Sequence, residues 1–149
     1  MKQSIAVVLF FTILAMVTGS SVYAGKSETV AADLKIHITG FANSEGVAKV
    51  AVVNSKENYD SDGTPYLGFN FKIINNEVRQ TIRVPQGEYA VKVFHDENTN
   101  DEMDRLMFGI PSEKYGFSKN ARGIFGPPAF EDARILVNTA EHKIEIKVQ

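Results

Sequence analysis

The sequence contains no cysteine, and it carries little excess charge of either sign. Without cysteine the chain can form neither a disulfide nor a thiol nucleophile. Its formal net charge of −2 offers no strongly basic surface that could follow a phosphate backbone, so we expect no nucleic-acid partner.

Long apolar runs are also scarce, and the one near the start, Ile5–Val17, is too short to span a bilayer comfortably. Lys2 precedes this run, and Ser21–Ala24 supplies small side chains suited to signal peptidase. The pattern predicts a signal peptide over residues 1–24, cleaved near Ala24, with an uncleaved anchor as the alternative. We expect the mature chain to lack a transmembrane segment and to be periplasmic or secreted. A bound metal ion is one crosslink open to an exported chain without disulfides.

Helical periodicity and catalytic motifs are missing as well. No segment shows a 3.6-residue apolar period long enough for a confident helix, and the Gly-x-Ser-x-Gly, His-Glu-x-x-His and phosphate-loop patterns do not occur. We therefore expect a protein that is not an enzyme. Strand-like patterning instead recurs in seven segments: Leu34–Thr39, Val47–Val53, Tyr66–Ile74, Val78–Val84, Tyr89–Val93, Ala133–Val137 and Lys143–Val148.

Seven short strands at this spacing predict an all-β domain over residues 34–149, a seven-stranded antiparallel sandwich of immunoglobulin or prealbumin type. Residues 25–33 are polar and small, and we expect a flexible lead-in there. Asn75-Asn76 suits a tight hairpin turn before the fourth strand. The last two strands are expected to pair with each other. One long loop rich in Gly, Pro and aromatic residues runs from Asp96 to Asp132.

Oxygen-bearing side chains recur at every second position where this loop begins, at Asp96, Asn98, Asn100, Glu102 and Asp104. The spacing matches positions 1, 3, 5, 7 and 9 of an EF-hand-type loop, in which position 7 binds through its backbone carbonyl. Two positions depart from that pattern, because Asp101 replaces the glycine at position 6 and Met107 replaces the glutamate at position 12. The last ligand must then come from elsewhere, and Glu131 or Asp132 are candidates. We predict a structural calcium ion here; the alternative is a solvated turn rich in Asp and Asn.

The rest of the loop holds too many apolar side chains for a disordered segment. We expect them to pack as a satellite core against one end of the sandwich, with the ion fixing the neck of the loop. The loop would also present a recognition surface to a glycan, a peptide or an envelope protein. A purely structural envelope protein with the loop wholly in its core is a further alternative. The apolar residues are Met107, Phe108, Ile110, Tyr115, Phe117, Ile124, Phe125 and Phe130, and the recognition surface is assigned to Phe108, Tyr115, Phe117, Arg122 and Phe125.

An enzymatic alternative depends on His95 and Arg122. His95 follows the inward-facing positions of its strand, which favours a hydrogen-bonded histidine at the edge of the core. Arg122 either pairs with Glu131 or Asp132 or anchors an anionic ligand. A hydrolase of transthyretin-like type would need His95, Arg122 and a carboxylate to converge in one cleft.

Several local patterns together carry a family resemblance. Pro85-x-Gly87-x-Tyr89 looks like the corner of prealbumin-like and carboxypeptidase-regulatory-like sandwiches. The chain also contains Phe94-His95-Asp96-x-Asn98-x-Asn100, Phe108-Gly109-Ile110-Pro111 and Phe125-Gly126-Pro127-Pro128. With these motifs it resembles the exported bacterial family called domain of unknown function 2141, from about Leu34 to Val148. The family usually reads Asn-Gly where this chain has Asn100-Asp101. The resemblance implies a secreted or periplasmic β-sandwich and brings no established activity or partner.

Overall fold

The computed structural model of this protein describes residues 30–61 and 64–149. The predicted signal peptide, residues 1–24, lies outside this part of the chain, as do the first residues of the predicted lead-in. Alternating apolar positions build mostly strands within it. The strands are β1 (Ala31–Thr39), β2 (Val47–Val53), β3 (Leu67–Lys72), β4 (Glu77–Pro85), β5 (Gly87–Asp96), β6 (Tyr115–Phe117), β7 (Ile135–Val137) and β8 (Glu141–Lys147), and the helices are α1 (Lys56–Asp60) and α2 (Phe130–Ala133), with 3₁₀ turns at Met107–Gly109 and Ser118–Asn120.

The strands form two sheets that pack face to face, which confirms an all-β sandwich. One sheet has the order β4-β1-β8, and the other has the order β3-β2-β5-β6, with β7 also paired to β5. The core between them is built from the inward positions of each strand, such as Leu34 of β1, Val52 of β2 and Val91 of β5. Among the described residues, neither helix is long or apolar enough to cross a membrane.

Strand pairing differs from the sequence-based prediction in three respects. Eight strands are present in the described residues, and the extra one, β6, lies inside the long loop. β8 pairs in parallel with β1 while β7 pairs with β5, so the expected terminal hairpin and the wholly antiparallel arrangement are wrong. β1 also begins at Ala31, within the predicted lead-in. A period of two identifies a strand and its buried face, but it does not identify the partner strand.

The tight turn at Asn75-Asn76 is present, and both residues have left-handed backbone angles, with φ of 52° and 60°. Only Ile74 and Glu77 form a bridge beside it. β3 then continues in the five-stranded sheet and β4 in the three-stranded sheet. The turn therefore connects the two layers of the sandwich instead of closing a hairpin within one sheet.

β5 is the strand around which the larger sheet is arranged. One of its edges pairs with β2, while the other is shared by β7 near its start and β6 near its end. Ser118, which is fully buried, fills the break between β7 and β6. Its hydroxyl accepts a hydrogen bond from the backbone N–H of Val91 (2.9 Å) and donates one to the carbonyl oxygen of Ala133 (2.5 Å).

A satellite core covers one end of the outer face of the five-stranded sheet. Val53 of β2 and Ala90 of β5 form its base, and Tyr59 of α1 packs against Phe117 and Phe130 above them. The prediction of a satellite core is therefore correct for Phe117 and Phe130. The long loop contributes β6 and α2 to this satellite core. Neither element was predicted, because the loop sequence shows no periodicity.

Candidate binding groove and cation loop

Asp96 is the fixed point of the acidic loop that follows β5. Its side chain is fully buried, and its two carboxylate oxygens accept hydrogen bonds from the backbone N–H groups of Asn100 (3.1 Å) and Asp101 (3.0 Å). Asp101 has a φ of 69°, so the residue in place of the EF-hand glycine does adopt the left-handed conformation. The loop thus bends back on itself at the predicted position.

Three other predicted ligands meet at one point of this loop. The side-chain amides of Asn98 and Asn100 donate to the two carboxylate oxygens of Asp104, at 2.7 and 3.0 Å. Glu102 contributes a backbone N–H to the amide oxygen of Asn100 (2.9 Å). A cation at this centre would be bound by the side-chain oxygens of Asn98 and Asn100. Both side-chain amides would therefore have to rotate, because their N–H groups now face Asp104.

Carboxylates alone do not make a metal site in the described part of the chain, where no cluster of three or more His, Cys, Asp or Glu side chains is arranged to hold an ion. Glu131 and Asp132 belong to α2, and Glu131 lies 3.8 Å from Lys56. The acid that reaches the loop is Glu113, whose carboxylate accepts from the N–H groups of Glu97 (3.1 Å) and Asp104 (3.0 Å). The sequence analysis assigned the distant acid to Glu131 or Asp132 instead, because the path of the hairpin that brings Glu113 to the loop cannot be read from spacing alone.

The acidic loop is joined to the outer face of the larger sheet by an ion pair between Asp101 and Lys49 of β2. A short hairpin continues from the loop. Its two sides are joined by a bridge between Arg105 and Pro111 and by a hydrogen bond from the N–H of Ser112 to the carbonyl of Asp104 (2.9 Å). The loop and the hairpin therefore have a defined position over the sheet.

The tip of this hairpin points its apolar side chains into solvent. Phe108 is 95% exposed and has a left-handed φ of 67°, which is uncommon for an aromatic residue. Hydrogen bonds inside the hairpin, such as that from the N–H of Leu106 to the carbonyl of Ile110 (2.7 Å), hold the tip in this shape. The expectation that these loop residues pack in a satellite core is wrong for the exposed set, which is Met107, Phe108, Ile110, Ile124 and Phe125.

A second exposed tip lies at Ile124 and Phe125, and Phe125 is completely exposed. Gly123 makes this turn tight, because a Cβ there would lie 2.3 Å from the carbonyl oxygen of Gly126. Only glycine permits so close an approach of two backbone segments. The two tips are thus built from backbone that is locally constrained.

A groove of about 870 Å³ lies over the outer face of the five-stranded sheet, and both tips contribute to its lining. This volume is within the range of about 300–1,000 Å³ common for ligand pockets. Its floor consists of two cross-strand rows from β3, β2, β5 and β6, and its walls include Phe108 and Phe125. The rows are Asn70–Lys49–Phe94–Tyr115 and Gly68–Ala51–Lys92–Phe117.

Of the five residues predicted to form the ligand surface, four line this groove, namely Phe108, Tyr115, Phe117 and Phe125. Phe117 lies in the floor and is mostly buried. Arg122 lines a smaller adjoining cavity of about 120 Å³, where its guanidinium donates to the side-chain oxygen of Gln149. No ion pair joins Arg122 to Glu131 or Asp132 within the described residues.

His95 lies on the other side of the sheet, within the core. It is 1% exposed, donates from Nε2 to the carbonyl oxygen of Glu45 (2.9 Å), and meets Phe41 edge to face. The hydrogen-bonded histidine expected at the core edge is therefore confirmed. His95 lines neither the groove nor the cavity beside Arg122.

Lys92, in the floor of the groove, is held by Tyr59 of the satellite core. The Lys92 ammonium donates to the backbone carbonyl of Tyr59 and lies 4.2 Å from the centre of the Tyr59 ring, an arrangement favourable for a cation–π contact. Burial raises the pKa of the Tyr59 hydroxyl to about 12, with a smaller effect from the carboxylates of Asp60 and Asp132. Tyr59 therefore remains neutral across the physiological pH range.

The fold and the groove define the class of this protein: an all-β sandwich with an apolar groove on the outer face of its larger sheet, flanked by two exposed aromatic tips. The chain belongs to the family described as "Uncharacterized protein conserved in bacteria (DUF2141)", whose model matches residues 36–145. No curated protein and no solved structure matches it.

Proposed function

We propose that this protein is a non-enzymatic, exported binding module that holds its ligand in the groove between the two aromatic tips. The observation that carries the proposal is the exposure of Phe108 and Phe125, both on hydrogen-bonded or tightly turned backbone and both lining the same groove. Exposed apolar patches on a folded domain mark interaction sites. The ligand classes suggested by the sequence are a glycan, a peptide or an envelope protein.

Export and a more specific fold type belong to the same proposal. The apolar run and small residues before Gly25 support cleavage near Ala24 and a periplasmic or secreted location. The Pro85-x-Gly87-x-Tyr89 corner supports an immunoglobulin- or prealbumin-like sandwich, since the Tyr89 hydroxyl donates back to the carbonyl of Pro85 (2.8 Å).

Binding of calcium by the acidic loop is the second part of the proposal. The convergence of Asn98, Asn100 and Asp104 supports it, as does the left-handed angle at Asp101. The ion would have a structural use, because the loop continues directly into the hairpin that carries Phe108. An affinity of about 10⁻⁴–10⁻³ M is expected for an extracellular module.

Thermal unfolding with calcium or with chelator tests this part. We expect calcium to raise the melting temperature of the native protein and to have no such effect on Asp104→Ala combined with Asp96→Ala. Asp96→Ala alone removes two backbone hydrogen bonds, so the informative quantity is the calcium-dependent shift and not the melting temperature itself. Asp60→Ala, in α1 and outside the loop, is the control. An unchanged melt in chelator, with no ion found by native mass spectrometry, would refute calcium binding.

Native mass spectrometry of protein isolated from the bacterial envelope tests whether the groove is the binding site. We expect a bound species that is lost in Phe108→Ser combined with Phe125→Ser and retained in Ile74→Ser combined with Leu136→Ser. The control residues are also exposed and apolar, at 60% and 53%, but they do not line the groove. Equal retention in both double variants would rule out the groove as the binding site.

The alternative hydrolase gains no support from the geometry. His95 is buried in the core and bonded to a backbone carbonyl, while Arg122 lines a different part of the molecule. A general base and an anion-binding guanidinium would have to reach the same substrate. The binding module is therefore the proposal that the arrangement favours.

A further inference from the structure

The two ammonium groups in the floor of the groove are engaged with the protein itself. The Lys49 ammonium pairs with Asp101, and the Lys92 ammonium is held by the carbonyl and ring of Tyr59. Both lysines therefore present mainly their methylene stems to the groove, as long cationic side chains commonly do. For a glycan, whose hydroxyl groups need many hydrogen bonds, this leaves mainly the Asn70 amide and the Tyr115 hydroxyl as partners in the floor.

An extended peptide is also poorly matched to this floor. The floor is the face of a sheet, where backbone N–H and C=O groups are directed sideways to neighbouring strands and not toward the ligand. Peptides that add to a sheet do so at an edge. What the face offers is side-chain surface, which is mostly carbon at Ala51, Phe94 and Tyr115.

The charged side chains that line the groove add a second requirement. Among the described residues that line the groove, three are cationic (Lys49, Lys92 and Arg105) and one, Asp101, carries a carboxylate. Arg105 is exposed, donates to the carbonyl of Gly109 (3.0 Å), and makes no ion pair with any residue of the described segments. The groove is thus net positive in a protein of net charge −2.

We propose that the groove binds a free fatty acid, with its alkyl chain along the apolar floor between Phe108 and Phe125 and its carboxylate at Arg105. This inference rests on the proposed function, because it uses the same groove. A single alkyl chain can lie along the carbon surface of the floor, whereas a bilayer surface would meet the exposed tips first.

Calorimetric titration with dodecanoate, kept below its micelle-forming concentration, tests the inference. We expect saturable binding of one dodecanoate per protein and binding of dodecanol that is about tenfold weaker, because the alcohol lacks the charge for Arg105. Arg105→Gln should weaken dodecanoate about tenfold and leave dodecanol unchanged. Phe108→Ser combined with Phe125→Ser should weaken both ligands, while Ile74→Ser combined with Leu136→Ser should weaken neither. All of these side chains are exposed, and equal melting temperatures will verify that each variant folds.

Other results would overturn the inference in distinguishable ways. Equal affinity for the acid and the alcohol, or no effect of Arg105→Gln, would refute the role of the charge. Binding to anionic phospholipid vesicles without binding to dodecanoate would assign the tips to a membrane surface. If no amphiphile binds while the envelope-derived ligand still depends on Phe108 and Phe125, the fatty-acid inference fails and the proposed groove stands. If that dependence is also absent, both fail.

Discussion

Replacing Ser118 by alanine tests whether one buried hydroxyl completes the edge of β5. The hydroxyl accepts from the N–H of Val91 and donates to the carbonyl of Ala133, and the side chain is inaccessible to water. Alanine removes both bonds and changes the volume by only one oxygen atom. The variant therefore isolates the hydrogen bonds from the packing around them.

The size of the effect follows from the two backbone groups that lose their partners. A buried donor or acceptor without a hydrogen bond costs about 1–3 kcal/mol. With two such groups, the free energy of unfolding should fall by about 2–6 kcal/mol and the melting temperature by at least about 10 °C. This loss is a large part of the free energy of unfolding of a typical domain, which is about 5–15 kcal/mol.

Urea unfolding followed by circular dichroism measures the change, and Ser44→Ala provides a matched control. The Ser44 hydroxyl also accepts from a backbone N–H and donates to an oxygen, both on Asn76, but it is exposed to water. We expect Ser44→Ala to change the free energy of unfolding by less than about 0.5 kcal/mol. A similarly small effect of Ser118→Ala would refute the reasoning, because it would mean that water can replace the serine.

Two further predictions concern stability. Tyr59→Phe should leave the protein unchanged or stabilise it by about 1 kcal/mol at pH 7, because the buried Tyr59 hydroxyl has no hydrogen-bond partner among the described residues; a loss above about 1 kcal/mol in urea unfolding would contradict this. Burial raises the pKa of Tyr59 from 10.0 to about 12, so stability is unaffected by its ionisation below pH 10 and falls at higher pH, where the unfolded state loses the proton first. About 2–3 kcal/mol of it should be lost as the pH rises through 12, but not in Tyr59→Phe. Gly46→Ala should cost at least about 3 kcal/mol, because its Cβ would lie 2.0 Å from the carbonyl oxygen of Asp96, whereas Gly109→Ala, with a similar φ and open space, should cost about 1 kcal/mol. Equal costs, measured by urea unfolding, would show that the backbone angle alone matters at Gly46.

Features that depend on neighbouring residues could be predicted from the sequence. β2 has the predicted bounds, Val47–Val53, because its composition and length determine a strand with little help from the rest of the chain. The left-handed turn at Asn75-Asn76 is likewise local. The bent acidic loop follows from side chains that bond to backbone groups four and five residues away, as Asp96 does.

Features that depend on distant residues were decided by the tertiary structure alone. The sequence could not indicate that Glu113 reaches the acidic loop, because that approach depends on the path of the intervening hairpin. It also could not distinguish Phe117, which packs on the sheet, from Phe125, which faces water. A loop has no periodicity, so its pattern does not separate buried from exposed positions. The groove exists only because folding brings two such tips to the same face of four paired strands.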